Sequence, residues 1–399
     1  MKAKYGLRQW LRRRRDAWQD FFRQEASSGI VLLVCALLAM AAANSPWGDG
    51  YAHWLHEMLF LGAGSRGLEM SRLHWVNDGL MTIFFLVVGL EIKREFLFGE
   101  LRTPSAMLLP IAGALGGMIV PAGIYALLNW GEPTINGWGV PMATDIAFSL
   151  GVLTFAAKNA PRSLVVFLTA LAIVDDLGGI VVIALFYSGR LETAALAAGL
   201  AVLLLLWFLG RQGRASLWLY GVGGLAAWYA FLQSGIHPTI AGVLLGFSVP
   251  AAPTGGKSLL TVLEHRLTPW SAWLIMPVFA LANAGIALPE SGLAALVSPV
   301  GLGAFLGLLA GKPMGILLGV FAVVRSGAGC LPAGTGWRHF AGAGVLGGIG
   351  FTMALFIASL AFPDAGDLMT AKMGIVAASV CSGVLGTGLF RLGGGSPRF

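Results

Sequence analysis

Leu171-Ala172-Ile173-Val174-Asp175-Asp176-Leu177-Gly178-Gly179 sets two adjacent carboxylates in the middle of an apolar run, 163–187, that carries no other charge. At about 1.5 Å of rise per residue, a helix over this run is about long enough to cross a bilayer core. Each ionised side chain at the centre of a spanning helix costs roughly 2.5–3.5 kcal/mol on insertion scales. A sequence keeps such a pair only where the carboxylates have partners or a task.

Composition fixes the class. The chain has 399 residues, 57% hydrophobic and only 11% charged, and its mean hydropathy is +0.78. A soluble domain carries about 25% charged residues. The long, continuous apolar runs are unlike the short alternating segments of a β-barrel. The chain is therefore read as an all-α polytopic membrane protein, with no soluble domain. Its 57 glycines suit close helix packing and broken helices. The net charge of +7 does not point to nucleic acid, because basic residues of membrane proteins gather in cytoplasmic loops. Cys35, Cys330 and Cys381 are scattered, with neither metal spacing nor a disulfide framework. No resident cofactor is expected.

The chain divides into a basic arm, 1–24, a transmembrane domain, 25–391, and a short tail, 392–399. The first apolar segment, 27–43, ends in Ala41-Ala42-Ala43 like a signal peptide, but more spans follow, so it is read as an uncleaved helix. In the polar connection 45–74, Leu59-Phe60-Leu61 and Leu68-Glu69-Met70 flank a Gly/Ser turn, a hairpin signal near 59–70. Further spans are expected at 75–98, 106–128, 134–157, 162–187, 194–210, 216–232, 235–249, 259–284, 302–324, 339–362 and 369–391, about twelve transmembrane helices in all. Twelve spans put both termini on one side. Of the 26 Lys and Arg, only Arg66, Arg72, Arg190 and Lys372 then face the other side, and Lys312 lies within a span. That asymmetry places both termini in the cytoplasm.

Few ionisable residues remain deep: Asp145 in 134–157, Asp175 and Asp176 in 162–187, and Lys312 in 302–324. Each lies close to the midpoint of its span. A common depth of three acids and one base on three helices points to an ion or proton site at the midplane. The plainer alternative is an ion-pair network that only fixes packing. Adjacent helix positions point about 100° apart, so Asp175 and Asp176 cannot face one small ion alike. One can face a cation while the other reaches Lys312; direction alone leaves open which. Coupled groups of this kind exchange protons as a set.

Two spans carry weak points. Pro141, just before Ala143-Thr144-Asp145, should break or kink its helix. Gly347-Gly348-Ile349-Gly350 does the same for 339–362. Interrupted spans in corresponding places of two halves, 106–187 and 302–391, point to an inverted-repeat transporter. Unpaired half-helix ends carry partial charge, which Asp145 would offset at the positive ends and Lys312 at the negative ones. Carboxylate, the Thr144 hydroxyl and backbone oxygens suit a small hard cation such as Na⁺.

Trp75-Val76-Asn77-Asp78-Gly79-Leu80-Met81, Gly89-Leu90-Glu91-Ile92-Lys93-Arg94-Glu95, Ala143-Thr144-Asp145-Ile146-Ala147-Phe148, Val174-Asp175-Asp176-Leu177-Gly178, Ser234-Gly235-Ile236-His237, Leu263-Glu264-His265 and Gly311-Lys312-Pro313 together resemble the bacterial NhaA-type sodium/proton antiporters. The match runs in order from about Glu25 to Arg391. The resemblance implies an electrogenic exporter of Na⁺ or Li⁺ from the cytoplasm, driven by entry of more protons than cations left. It implies a bacterial inner membrane location and twelve helices, of which the fourth and eleventh are broken and cross. It assigns Asp176 as main cation ligand and proton carrier. Asp175 alternates between Lys312 and the site, and Asp145 and Thr144 stand at the broken fourth helix. A pH-responsive cluster would comprise Glu91, Arg94, Glu95, Glu264 and His265, with His237 as a further pH-linked position. The bland reading of that cluster is a solvated set of helix-end charges. The resemblance also implies a homodimer joined through the hairpin, although the 45–74 connection differs in sequence. The pattern has a second histidine three residues beyond the Glu-His pair; here Thr268 stands there. The arm is also longer and more basic than the family pattern.

Competing readings fit less well. An intramembrane aspartyl protease would carry Tyr-Asp and Gly-x-Gly-Asp pairs, whereas this chain has Thr144-Asp145, Val174-Asp175 and a lysine at the same depth. A passive cation channel is opposed by that lysine. A sodium-coupled small-solute symporter would need a larger polar pocket.

Overall fold

A computed structural model describes residues 27–63, 66–156, 160–252, 258–287 and 296–392. The arm 1–24, residues 393–399 of the tail, Lys158 and Lys257 lie outside the described residues. Among the described residues, the regular structure is helical apart from one antiparallel hairpin. Helix α1 (Ser27–Ala43) turns through 112° into α2 (Gly48–His56). Strands β1 (Met58–Ala63) and β2 (Arg66–Ser71) follow, paired from Met58↔Ser71 to Ala63↔Arg66. Next come α3 (Arg72–Phe98) and α4 (Pro104–Leu128). A 3₁₀ helix (Pro133–Met142) then leads into α5 (Ile146–Ala156). After these stand α6 (Arg162–Phe186), α7 (Thr193–Arg211), α8 (Leu217–Ser234) and α9 (Thr239–Ser248). Helix α10 (Leu259–Trp270) continues through a π turn (Ser271–Ile275) into α11 (Met276–Asn283). The chain closes with α12 (Pro299–Arg325), α13 (Trp337–Gly347), α14 (Phe351–Ala361) and α15 (Ala365–Leu392).

Among the described residues, six helices are long and apolar enough to cross a membrane, or up to nine if each bent pair counts as one span. The chain is thus a polytopic helical membrane protein. Helices α4, α6, α12, α13, α14 and α15 form one packed group, and α3, α7, α8, α9 and α10 another; α6 against α3 and α14 against α11 join them.

Small residues bring the central helices close. Gly311, Gly315 and Gly319 recur every four residues along α12, and α4 offers Ala112, Gly116 and Pro121 opposite them. A Cβ on Gly315 would collide with the Gly116 carbonyl, and one on Gly319 with that of Ala112. Helices without a hydrophobic drive between them associate through such contacts. The same contact carries Lys312 into the interior.

Two π turns among the described residues have a chemical cause. Pro313 stands two positions past the turn Gly307–Gly311, and Pro277 two positions past Ser271–Ile275. A proline ring clashes with the carbonyl four residues back, and it has no N–H to donate. The turn before it widens, so that Lys312 N–H donates to Gly307 O, five residues back.

The first half of the 133–156 span is a 3₁₀ helix, where a kinked α-helix is the simpler expectation from sequence. Pro133, Gly137, Gly139 and Pro141 disfavour the α ladder. The break falls at 143–145, two residues past Pro141.

Candidate functional site

The two breaks meet. The Asp145 amide donates to Ile349 O at 2.7 Å, so the break at 143–145 lies against the break at 348–350. The 3₁₀ helix and α5 differ in direction by 45°, and α13 and α14 by 44°. Four half-helix ends therefore stop inside the protein, each with orphan donors or acceptors.

Side chains satisfy them. One carboxylate, Asp145, serves both N-terminal ends. Its Oδ1 accepts from Phe148 N–H at 3.1 Å, capping α5, and its Oδ2 accepts from Thr352 N–H at 3.1 Å and from the Thr352 hydroxyl, capping α14. Negative charge at two positive dipole ends is favourable. The C-terminal ends receive donors. Lys312 Nζ donates to Met142 O at the end of the 3₁₀ helix. At the end of α13, Ser149 Oγ lies 2.9 Å from Leu346 O and 2.7 Å from Asp145 O, and Thr144 Oγ1 lies 2.9 Å from Gly347 O and 2.7 Å from Asp175 Oδ2, so each single hydroxyl proton is shared between two acceptors.

Asp175 and Asp176 stand midway along α6. Lys312 Nζ lies 2.7 Å from Asp175 Oδ2, with both side chains fully buried. The Thr144 hydroxyl reaches the same oxygen at 2.7 Å. Burying two ions is costly, and the pair is tolerable because each member gains a further hydrogen bond. Asp176 points elsewhere, as adjacent positions must. Its Oδ1 is buried with no hydrogen-bond partner among the described residues, as is Asp175 Oδ1. A buried carboxylate oxygen left so calls for a proton or a cation.

Two cavities flank Asp176. One, of about 80 Å³, is lined by Asp176, Asp145, Glu91 and the hydroxyls of Thr144, Thr268, Ser271, Thr352 and Ser28, with apolar side chains between them. The other, of about 10 Å³, lies between Asp176, Ile180, Ile183 and Phe356. Phe356 packs on Phe85, Phe279 and His237, with ring centroids 5.5, 6.1 and 5.4 Å away. An aromatic cluster thus closes the second side.

The remaining expected residues fall into two places. Arg94 binds Glu264 at 2.5 Å and Glu95 at 2.7 Å, and lies 3.9 Å from Glu91. His265 follows Glu264 in sequence but is exposed. His237 stands apart from this cluster: its Nε2 is 3.4 Å from Asp78 Oδ1, and its Nδ1 is 2.8 Å from Thr239 Oγ1. Along α3, Asp78 and Glu91 are separated by about 20 Å.

Sequence reasoning passed over Thr352, Ser149, Asp78 and Lys93 as site-shaping residues. Thr352 had a readable signal, a hydroxyl just after a glycine break, as Thr144 follows Pro141. Lys93 Nζ donates to Phe247 O and Val249 O at 2.6 and 2.5 Å, capping α9. Its place in a charged helix-end motif gave no hint of that.

A family model described as Na⁺/H⁺ antiporter 1 matches residues 19–390. Similar curated proteins include Na(+)/H(+) antiporter NhaA 2 of Clostridium beijerinckii, 51% identical over 375 residues, spanning 93% of each chain. The Na(+)/H(+) antiporter NhaA of Shewanella loihica is 46% identical over 373 residues, 93% of this chain and 95% of the relative. That of Vibrio cholerae is 46% identical over 381 residues, 94% and 98% respectively.

Proposed function

Because this chain belongs to the Na⁺/H⁺ antiporter 1 family, we propose that its helix bundle exchanges Na⁺ for H⁺ across a bacterial membrane, as a transporter and not an enzyme. The observation that carries the site assignment is the division between the two aspartates: Asp175 commits one oxygen to Lys312 and Thr144, whereas Asp176, among the described residues, makes neither a hydrogen bond nor an ion pair and borders the larger cavity. Asp176 is the main cation ligand and proton carrier. Na⁺ and H⁺ exclude each other there, so loading one releases the other. Asp175 joins the site when it leaves Lys312, while Asp145 and Thr144 hold the broken helices around it.

The transporter has twelve spans built as inverted repeats, with both termini in the cytoplasm of an inner membrane. It is electrogenic, exports Na⁺ or Li⁺, and works by alternating access. The cavity at Glu91 then faces the cytoplasm, and the Phe356 cluster is the closed side. The Arg94 cluster and His237 adjust activity with pH. The test of exchange is direct. In proteoliposomes with an imposed ΔpH, acid inside, an external Na⁺ pulse should collapse the gradient; a gradient indifferent to Na⁺ would remove the reading.

A homodimer forms through the hairpin. Leu59, Phe60 and Leu61 on β1 are exposed, and the hairpin has two unpaired edges. Deleting residues 60–69 should convert a dimer in detergent to a monomer, measured by light scattering; a dimer that survives the deletion refutes this contact.

A further inference from the structure

The cavity that reaches Asp176 is lined by two hydroxyls from one turn of the 259–283 stretch, Thr268 and Ser271, to which the exchange reading gives no task. Ser271 opens the π turn and is buried, one turn beyond the half-buried Thr268. The Thr268 hydroxyl donates its proton to Glu264 O at 2.8 Å. Its oxygen is thus left with lone pairs alone, which suits a cation and cannot serve an anion. Beside these hydroxyls stands Glu91, whose side chain is 29% exposed. Arg94 is held at 2.5 and 2.7 Å by Glu264 and Glu95 but stays 3.9 Å from Glu91, so Glu91 is the least neutralised carboxylate of that group. Much of the remaining wall is apolar, with Leu32, Phe84, Val87 and Met276 in it.

A hard cation gives up its water only against oxygen ligands, and an ion crossing an apolar wall without them meets a steep desolvation cost. We infer that Thr268 and Ser271, with Glu91 beside them, form an outer cation station where Na⁺ exchanges part of its hydration shell for protein oxygen before it reaches Asp176. This rests on the Na⁺/H⁺ exchange reading and adds two cation-binding residues to it. Thr268 offers the first hydroxyl, Ser271 the second and deeper one. Asp176 and Thr144 complete the descent.

The test is the apparent KM for Na⁺, from initial rates of ΔpH collapse in proteoliposomes. Thr268→Val and Ser271→Ala together should raise it about tenfold, near 1.4 kcal/mol of lost binding, with the rate at saturating Na⁺ retained. Each single change should raise it about threefold, and these carry the test if the pair does not assemble. Thr268→Ser and Ser271→Thr, which keep a hydroxyl, should keep the KM of the unaltered protein. An unchanged KM in the hydroxyl-free variants overturns the inference. So does an equal rise in the hydroxyl-retaining ones, which would mark a packing role. Failure of the unaltered protein to exchange Na⁺ at all would instead sink the transport reading beneath it.

Discussion

Replacing Lys312 by methionine is expected to lower the stability of the purified protein by about 3–5 kcal/mol, the usual consequence of leaving one member of a buried ion pair alone. The side chain is fully buried, pairs with Asp175 at 2.7 Å, and also donates to the carbonyl that ends the 3₁₀ helix. Methionine fills similar volume but leaves the Asp175 carboxylate without its counter-charge and the end of the 3₁₀ helix without a donor. The effect should be largely conditional on the aspartate. Lys312→Met combined with Asp175→Asn removes both charges, and asparagine still offers an acceptor to Thr144. The double variant should recover more than half of the loss in thermal midpoint, the signature of coupling between neighbours. A single variant as stable as the unaltered protein, or a double variant no better than the single, would show that the pair does not hold the bundle.

Asp145→Ala should cost about 2–4 kcal/mol, because it removes two helix caps at once and the charge that offsets two dipole ends. The division of labour between its oxygens makes a sharper prediction. Oδ1 serves α5 and Oδ2 serves α14. Asparagine keeps one acceptor and turns the other position into a donor, which then faces a backbone N–H. Asp145→Asn should therefore retain one cap, lose the other, and fall between the alanine variant and the unaltered protein in thermal unfolding. Equal losses for both variants would mean that charge alone matters; no loss for either would mean that the caps are dispensable.

Much of this arrangement was legible in the chain. The sequence sets four ionisable residues near the midpoints of its expected spans, and the structure brings Asp145, Asp175 and Lys312 to the two breaks. Paired weak points at Pro141 and Gly347–Gly350 announced two interrupted helices, and the breaks lie within a few residues of them. What the residues could not say was which aspartate takes the lysine. Helical geometry gives the angle between neighbours, not the direction of the partner helix. That direction is set by the Gly311–Gly315–Gly319 face of α12 against α4, a tertiary contact. The π turns were illegible for a related reason: a proline predicts disruption, but whether the ladder kinks, tightens or widens depends on the neighbours. His237 joined the pH-linked residues through resemblance, yet in space it belongs with Asp78 and Phe356, on the closed side of the site. Sequence proximity and motif membership carry no distance.

The central claim is that Na⁺ and H⁺ compete for Asp176. Its most direct measurement is the proton release that accompanies Na⁺ addition to the detergent-purified protein in lightly buffered solution, read with a pH indicator. The unaltered protein should release protons in a saturable, Na⁺-dependent manner, and Asp176→Asn should release none and bind no Na⁺. Na⁺ binding without proton release, or an Asp176→Asn variant that releases protons like the unaltered protein, would contradict the account.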